Sequence, residues 1–281
     1  MKTDELLPGR RVLLRGAALF ALAATAGCVG TERSGAPARP SNSPGPAAGP
    51  QAARPQKPSA YRLQPMTGYG PQRAAVRRTP VRSKPILRMD NHGRDMVLTF
   101  DDGPDPLYTP RVLDTLRKHD VRAMFFVCGE MAKSNPDLLR RMIDEGHTIG
   151  NHTFTHPQLT LMRRTGIRDE IERTSGAVLD AVGQPPLWFR APYGAWNRSA
   201  FEIGAELGME PLAWTVDTLD WQEPGTGSIV RRVLKGAGPG VVVLSHDAGG
   251  NRSQTVKALR TYLPRLIDEG YRIGVPSRTF A

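Results

Sequence analysis

Met96-Val97-Leu98-Thr99-Phe100-Asp101-Asp102-Gly103-Pro104 is the stretch that decides the fold. A mostly apolar, strand-forming run leads straight into two carboxylates and a Gly-Pro turn signal. Working outward, the same pattern recurs along the chain. Strands are expected at Met96–Phe100, Ala123–Val127, Thr148–Gly150, Leu187–Phe189, Pro211–Val216 and Val241–Leu244. Val241–Leu244, a continuous apolar run, suits a strand covered on both faces, as in a parallel sheet. Between them the apolar spacing changes to the helical period at Pro110–His119, Pro136–Glu145, Ile167–Val182, Ser199–Leu207, Ser228–Leu234 and Thr255–Glu269. Pro136 opens one helix and Gly146 follows it; Ser199 is the expected N-cap of another; Pro264 is expected to kink the last. Strand–helix alternation through one domain, residues 95–281, means parallel strands with outer helices. About six or seven such units favour a distorted (β/α) barrel with fewer than eight regular strands over an open sheet.

The first 94 residues read differently. Gly9-Arg10-Arg11-Val12-Leu13-Leu14-Arg15 precedes an apolar stretch, Gly16 to Gly27, that ends at Cys28. A basic segment before a short apolar one is an export signal, and about 12 apolar residues are too few to span a bilayer. The paired arginines resemble a twin-arginine signal, and Thr25-Ala26-Gly27-Cys28 resembles a bacterial lipoprotein cleavage box. That resemblance implies cleavage before Cys28, lipid on its sulfur and attachment to the outer face of the cell membrane; plain secretion is the alternative. Residues 29–94 follow, with eleven prolines between Pro37 and Pro85 and few aliphatic residues. Such a segment buries too little apolar surface to order itself, so a disordered, extended tether is expected.

The net charge of +11 is concentrated in that tail. Residues 1–94 hold 16 Lys/Arg against 4 Asp/Glu, and residues 95–281 hold 22 against 23. A nucleic-acid groove needs its charge on the folded domain, so no nucleic-acid partner is expected. A basic arm suits an anionic lipid surface or wall polymer; a merely solvated linker is the alternative. With two cysteines, Cys28 and Cys128, no disulfide framework is expected, and Cys128 reads as a small buried apolar residue.

In parallel α/β domains functional residues gather beyond the C-terminal ends of strands. The six expected strands leave five informative ends: Asp101-Asp102-Gly103-Pro104; Asn151-His152 with His156; Arg190-Ala191-Pro192-Tyr193-Gly194; Asp217-Thr218-Leu219-Asp220-Trp221; and Ser245-His246-Asp247. His152 and His156 are four apart, the spacing of one helical turn, so both can face one ion. With a carboxylate from another strand end they make a His₂–Asp set suited to Zn²⁺, and by ligand type to Ni²⁺, Co²⁺ or Mn²⁺. Asp101 and Asp102 point to opposite faces if the strand runs through them, so one can bind metal while the other serves as a base. Alone, Asp-Asp-Gly-Pro would read as a turn; the combination favours chemistry. His92, His119 and His147 are expected to be structural or solvated. Trp188 and Trp214 are expected to be buried, and Trp196 and Trp221 remain candidates for sugar stacking.

Five segments, in order, resemble the five motifs of the polysaccharide deacetylases, the NodB-type family of carbohydrate esterases, family four. They are Thr99-Phe100-Asp101-Asp102-Gly103-Pro104, His152-Thr153-Phe154-Thr155-His156-Pro157, Arg190-Ala191-Pro192-Tyr193-Gly194, Asp217-Thr218-Leu219-Asp220-Trp221 and Leu244-Ser245-His246. The resemblance covers about residues 95–276 and implies the distorted barrel. It implies that Asp102, His152 and His156 hold the metal, Asp101 is the general base and His246 the general acid. It further implies that Arg190 orients Asp101, Asp220 tethers His246, the Tyr193 backbone N–H helps hold the oxyanion and Trp221 lines the acetyl pocket. The expected reaction removes N-acetyl groups from an N-acetylglucosamine polymer, peptidoglycan or chitin oligomers, by a monomeric exported enzyme. The alternatives are an O-acetyl (xylan) esterase on the same site, a catalytically silent carbohydrate-binding module, and a phosphoester hydrolase, for which a single positioned Arg is too few.

Overall fold

A computed structural model of the chain describes residues 79–90 and 93–276. The expected signal segment, Cys28 and residues 29–78 of the expected tether lie outside the described residues. Among the described residues no helix is long and apolar enough to cross a membrane.

The elements run β1 (Asp95–Asp101), α1 (Thr109–Lys118), β2 (Met124–Val127), α2 (Gly129–Ser134), α3 (Pro136–Asp144), β3 (Thr148–Asn151), α4 (Arg164–Val182), β4 (Trp188–Phe189), α5 (Arg198–Glu206), β5 (Glu210–Pro211), β6 (Val216–Asp217), α6 (Thr226–Gly236), β7 (Val242–His246), α7 (Ser253–Asp268) and β8 (Arg272–Ile273). The strands lie in the order β5-β4-β3-β2-β1-β7-β6, with β8 beside β1, and their pairings are parallel. Among the described residues only β1, β2, β3 and β7 exceed two residues, so the distorted barrel with fewer than eight regular strands is the architecture found.

The two-residue period of β1 assigns its faces. Met96, Leu98 and Phe100 join the outer core with Phe125, Val127 and Val243, against Val112, Leu113 and Leu116 of α1 and Leu259 and Leu263 of α7. Each such side chain contributes roughly 1.5–3 kcal/mol by leaving water. Val97 faces the other way, into a small inner core with Met124, Phe126, Trp188, Leu212 and Val242. Thr99 and Asp101 continue that inner face, so the barrel interior is apolar at its base and polar towards the strand C-termini.

Several expectations change. Pro211–Val216 is not one strand: β5 ends at Pro211 and β6 starts at Val216, because the chain crosses from beside β4 to beside β7. The carbonyls of Leu212 and Ala213 in the crossing accept from a side chain, Arg190, rather than from a strand. Asn197, not Ser199, caps α5, accepting from the Ala200 N–H at 2.8 Å. The helix expected from Ser228 begins at Thr226 after Gly225. Helix α2 was not anticipated; Cys128, buried as expected, is its N-cap residue. Residues 79–90, assigned to the tether by sequence, lie along the domain. Ile86 bridges Leu212 and Arg88 bridges Val241, and the backbone of Ile86 donates to Pro211 O and accepts from Ala213 N, both at 2.8 Å. Packing therefore begins before residue 95.

Candidate active site

Asp101 is the last residue of β1 and His246 the last of β7, and the register sets them side by side. Asp102 follows at φ +74°, a left-handed turn that brings its carboxylate to the same side as that of Asp101. The two acids therefore share one site although a continuing strand would have separated them.

His152 and His156 do not lie on a helix. Residues 152–157 form a loop after β3, with Thr153 at φ +68° and His156 at φ +59°. This corrects the helical-turn reading while keeping its outcome: the rings lie 5.0 Å apart between centroids. His152 Nδ1 lies 2.8 Å from the Arg190 carbonyl, which fixes Nδ1 as the N–H donor and leaves the Nε2 lone pair turned to Asp102. Burial holds the His152 pKa down at about 3, so the ring is neutral at physiological pH. His152 Nε2 and His156 Nε2 lie 3.5 and 3.3 Å from Asp102 Oδ1.

These three donors fit a divalent cation. One ligand atom from each of Asp102, His152 and His156 lies within 4.8 Å of the others. Among the described residues, Asp102 Oδ1 is buried with no hydrogen-bond partner, an arrangement that leaves a carboxylate oxygen paying its desolvation cost uncompensated. One carboxylate and two imidazoles are a donor set of the kind open catalytic metal sites use.

Arg190, completely buried, organises the other side. Its Nη1 donates to Asp101 Oδ1 at 2.6 Å and to Thr99 Oγ1 at 2.8 Å; Nε and Nη2 donate to the carbonyls of Leu212 and Ala213. Its guanidinium stacks on Phe126, 4.0 Å from the ring centroid. Burial raises the Asp101 carboxyl above its ordinary pKa, and Arg190, then His246, pull in the other direction without cancelling it. Burial is thus the larger influence on Asp101, and Arg190 the larger of the two that oppose it.

His246 Nδ1 lies 2.6 Å from Asp220 Oδ1, and the His246 backbone N–H donates to Asp220 Oδ2 at 2.8 Å. Thr255 on α7 donates to the same Oδ2. Burial disfavours the imidazolium, but the Asp220 hydrogen bond and charge, with Asp102 and Asp101, outweigh it and push the His246 pKa up to about 9. His246 and Thr255 in turn hold Asp220 below the usual carboxylate range despite its burial.

A cavity of about 450 Å³ opens over these groups. Tyr193, at φ +60° in the turn after β4, sets its ring edge-on to His156, 4.6 Å between centroids. Trp221 lines the mouth and is 53 % exposed; Trp214 is half-buried on the wall. Trp188 is buried as expected, and Trp196 packs between Phe189 and Phe201. His147 is buried and accepts from the Ala123 N–H, a structural role. Of the nine candidate residues within the domain, seven line this cavity, Asp101, Asp102, His152, His156, Tyr193, Trp221 and His246, while Arg190 and Asp220 are buried behind it and hold Asp101 and His246; Cys28 lies outside the described residues.

Sequence reading missed three supports. Arg252 lines the cavity and ties together the carbonyls of Ala248, Gly249 and Asp220. Asp247, fully buried beside Gly103, accepts from Thr109, and burial raises its pKa to about 7. Thr255 braces Asp220. Of these only Asp247 carried a signal, as the residue directly after His246.

The sequence model described as polysaccharide deacetylase matches residues 88–212. The chain is 39 % identical over 208 residues to a chitooligosaccharide deacetylase of Rhizobium leguminosarum bv. trifolii, covering 70 % of this chain and 97 % of that one. It is 40 % identical over 190 residues to a peptidoglycan-N-acetylglucosamine deacetylase of Bacillus cereus, 65 % and 86 % of the two chains. Among solved structures, a family 4 carbohydrate esterase pseudoenzyme from Bacillus anthracis superposes with a TM-score of 0.65 at 32 % identity over 70 % of this chain and 69 % of that one. Fold, site and relatives define a carbohydrate esterase of the NodB type. This chain belongs to the polysaccharide deacetylase family.

Proposed function

We propose that the protein is a metal-dependent hydrolase that removes N-acetyl groups from an N-acetylglucosamine polymer outside the cell. The observation that carries this reading is the sharing of one cavity by three elements: the Asp102–His152–His156 donor set, the Arg190-held carboxylate of Asp101 and the Asp220-held imidazole of His246.

The cation, Zn²⁺ by donor type with Co²⁺, Ni²⁺ or Mn²⁺ as substitutes, would be held by Asp102 Oδ1, His152 Nε2 and His156 Nε2. When bound it supplies Lewis-acid polarisation of the acetyl carbonyl and makes water more acidic. The chain's own groups do the rest. Asp101 Oδ1 is held by Arg190, leaving Oδ2 to take the proton of the attacking water. A pKa raised by burial brings this base closer to the working pH, where general-base catalysis is most effective. The water oxygen joins the carbonyl carbon. The C–N bond then breaks as His246 Nε2 gives its proton to the departing amine, and the products are acetate and a free amino sugar. Asp220 keeps that imidazole protonated and aimed. The Tyr193 N–H is assigned to the oxyanion, and Trp221 to the wall around the acetyl methyl group.

Peptidoglycan or chitin oligomers are the proposed substrates, in keeping with the activities named for the two relatives. The pseudoenzyme relative means that likeness of fold is not enough; the intact base, acid and donor set weigh against a silent binding module here. We assign residues 1–28 to export, Cys28 to lipid attachment, residues 29–78 to a basic tether toward anionic wall or lipid, and the active form to a monomer. The test compares acetate released from chitin oligomers, peptidoglycan and acetylxylan. Release from acetylxylan alone would replace the N-deacetylase reading with the esterase one.

A further inference from the structure

The loop that carries both histidines is held from outside the site by one carboxylate. Glu170 on α4 is buried, with 6 % of its surface exposed. Its Oε2 accepts from the backbone N–H groups of Phe154 and Thr155, each at 2.8 Å, and its Oε1 accepts from Thr155 Oγ1 at 2.9 Å. Among the described residues it appears in no salt bridge with Arg or Lys; its partners are the two N–H groups and the hydroxyl. A buried carboxylate held this way sits in a cradle of oriented donors, the arrangement that makes charge-assisted hydrogen bonds strong.

That segment needs holding. Thr153 and His156 both adopt left-handed backbone, which L-residues other than glycine, Asn and Asp rarely populate. Nothing within the loop itself forms a helix or strand to enforce this. The fixing contacts come from neighbours: Asn151 Oδ1 accepts from Thr153 N, Gly129 N donates to Thr153 O, and Phe154 is seated against Gly129, where a Cβ would fall 2.2 Å from its ring. Glu170 reaches the half of the loop nearest His156. His152 is fixed separately, by its own strand end and the Arg190 carbonyl.

We infer that Glu170 is a positioning residue for the metal site: through the N–H groups of Phe154 and Thr155 it sets where the His156 imidazole stands relative to Asp102 and His152. The inference rests on the cation-site reading above. It predicts that Glu170 governs metal affinity without touching the metal, as residues behind first ligands do, typically by about 10- to 100-fold.

The experiment titrates the metal-stripped full chain with zinc by calorimetry, for wild type, Glu170→Ala and Glu170→Gln, and records thermal unfolding of each metal-free protein. Glu170→Ala is expected to bind zinc about 10- to 100-fold more weakly. Glu170→Gln keeps the shape and one carbonyl acceptor but loses the charge, and is expected to fall between the two. A Glu170→Ala protein that unfolds earlier yet binds zinc as wild type does would reduce Glu170 to a structural residue and overturn the inference. Should Glu170→Ala not fold, Glu170→Gln decides: unchanged zinc affinity overturns the inference, weakened affinity supports it. Wild type that binds no zinc would instead refute the cation site itself.

Discussion

Replacing Asp220 by Asn tests the acid half of the site, because the structure predicts a defect that depends on pH. Asp220 meets His246 twice, at Nδ1 and at the backbone N–H, and with Asp101 and Asp102 it pushes the imidazole to about 9 against its burial. At pH 8 a group of that pKa is about 90 % protonated, whereas one at the ordinary value of about 6.5 is about 3 % protonated. Asp220→Asn removes the charge that holds the proton, so kcat/KM on a chitin oligomer should fall about 30-fold at pH 8 from protonation alone. At pH 6 the same arithmetic gives less than about twofold. The assay is acetate release with metal present from pH 5.5 to 9, read as the ratio of wild type to variant. Any fixed loss from the disturbed hydrogen bonds displaces the whole ratio without changing its slope. A ratio equal at pH 6 and pH 8 would refute the assignment of His246 as a proton donor maintained by Asp220.

Other outcomes follow from the same geometry. Asp101→Asn should nearly abolish turnover while zinc still binds in calorimetry; loss of zinc would make Asp101 a ligand and reverse the division of labour between the two acids. Asp247 ionises near 4 when unfolded and at about 7 when folded. The folded state therefore holds a proton the unfolded chain has shed, and stability is lost as pH rises between those values. Asp247→Asn should flatten that slope in the metal-free protein, with a gain at pH 8 on the order of 4 kcal/mol by the size of the shift, measured by denaturant unfolding at pH 5 and pH 8. Gly150→Ala should destabilise by about 1–3 kcal/mol, since a Cβ there would meet the Phe126 ring at 2.5 Å; its Tm reports the loss.

How legible the molecule was in its sequence varies by element. β1 and β7 were readable because they are long apolar runs paired along most of their length, and their C-terminal ends named Asp101, Asp102 and His246. β5 and β6 were not separable: a strand of two residues, one of them Pro211, leaves no period to count. The segment 79–90 looked like a continuation of the Pro-rich tail, because it joins the sheet by backbone bridges at Ile86 and Arg88 and not through an apolar pattern. The His152–His156 spacing led to the right ligands for the wrong reason, since left-handed residues in a loop achieve what a helical turn was expected to do. Glu170 was invisible for a related cause. On α4 it stands among Arg168, Asp169, Glu172 and Arg173 and reads as one more solvated charge, whereas only the folded loop supplies the N–H groups it accepts from.

The measurement that bears most directly on the account is acetate released from chitin oligomers by the full chain, first stripped of metal and then with zinc restored. The account predicts no release from the stripped protein and one acetate per new amine once zinc is returned. Release undiminished by stripping, or none with zinc bound and Asp101, His246 and their partners intact, would contradict it.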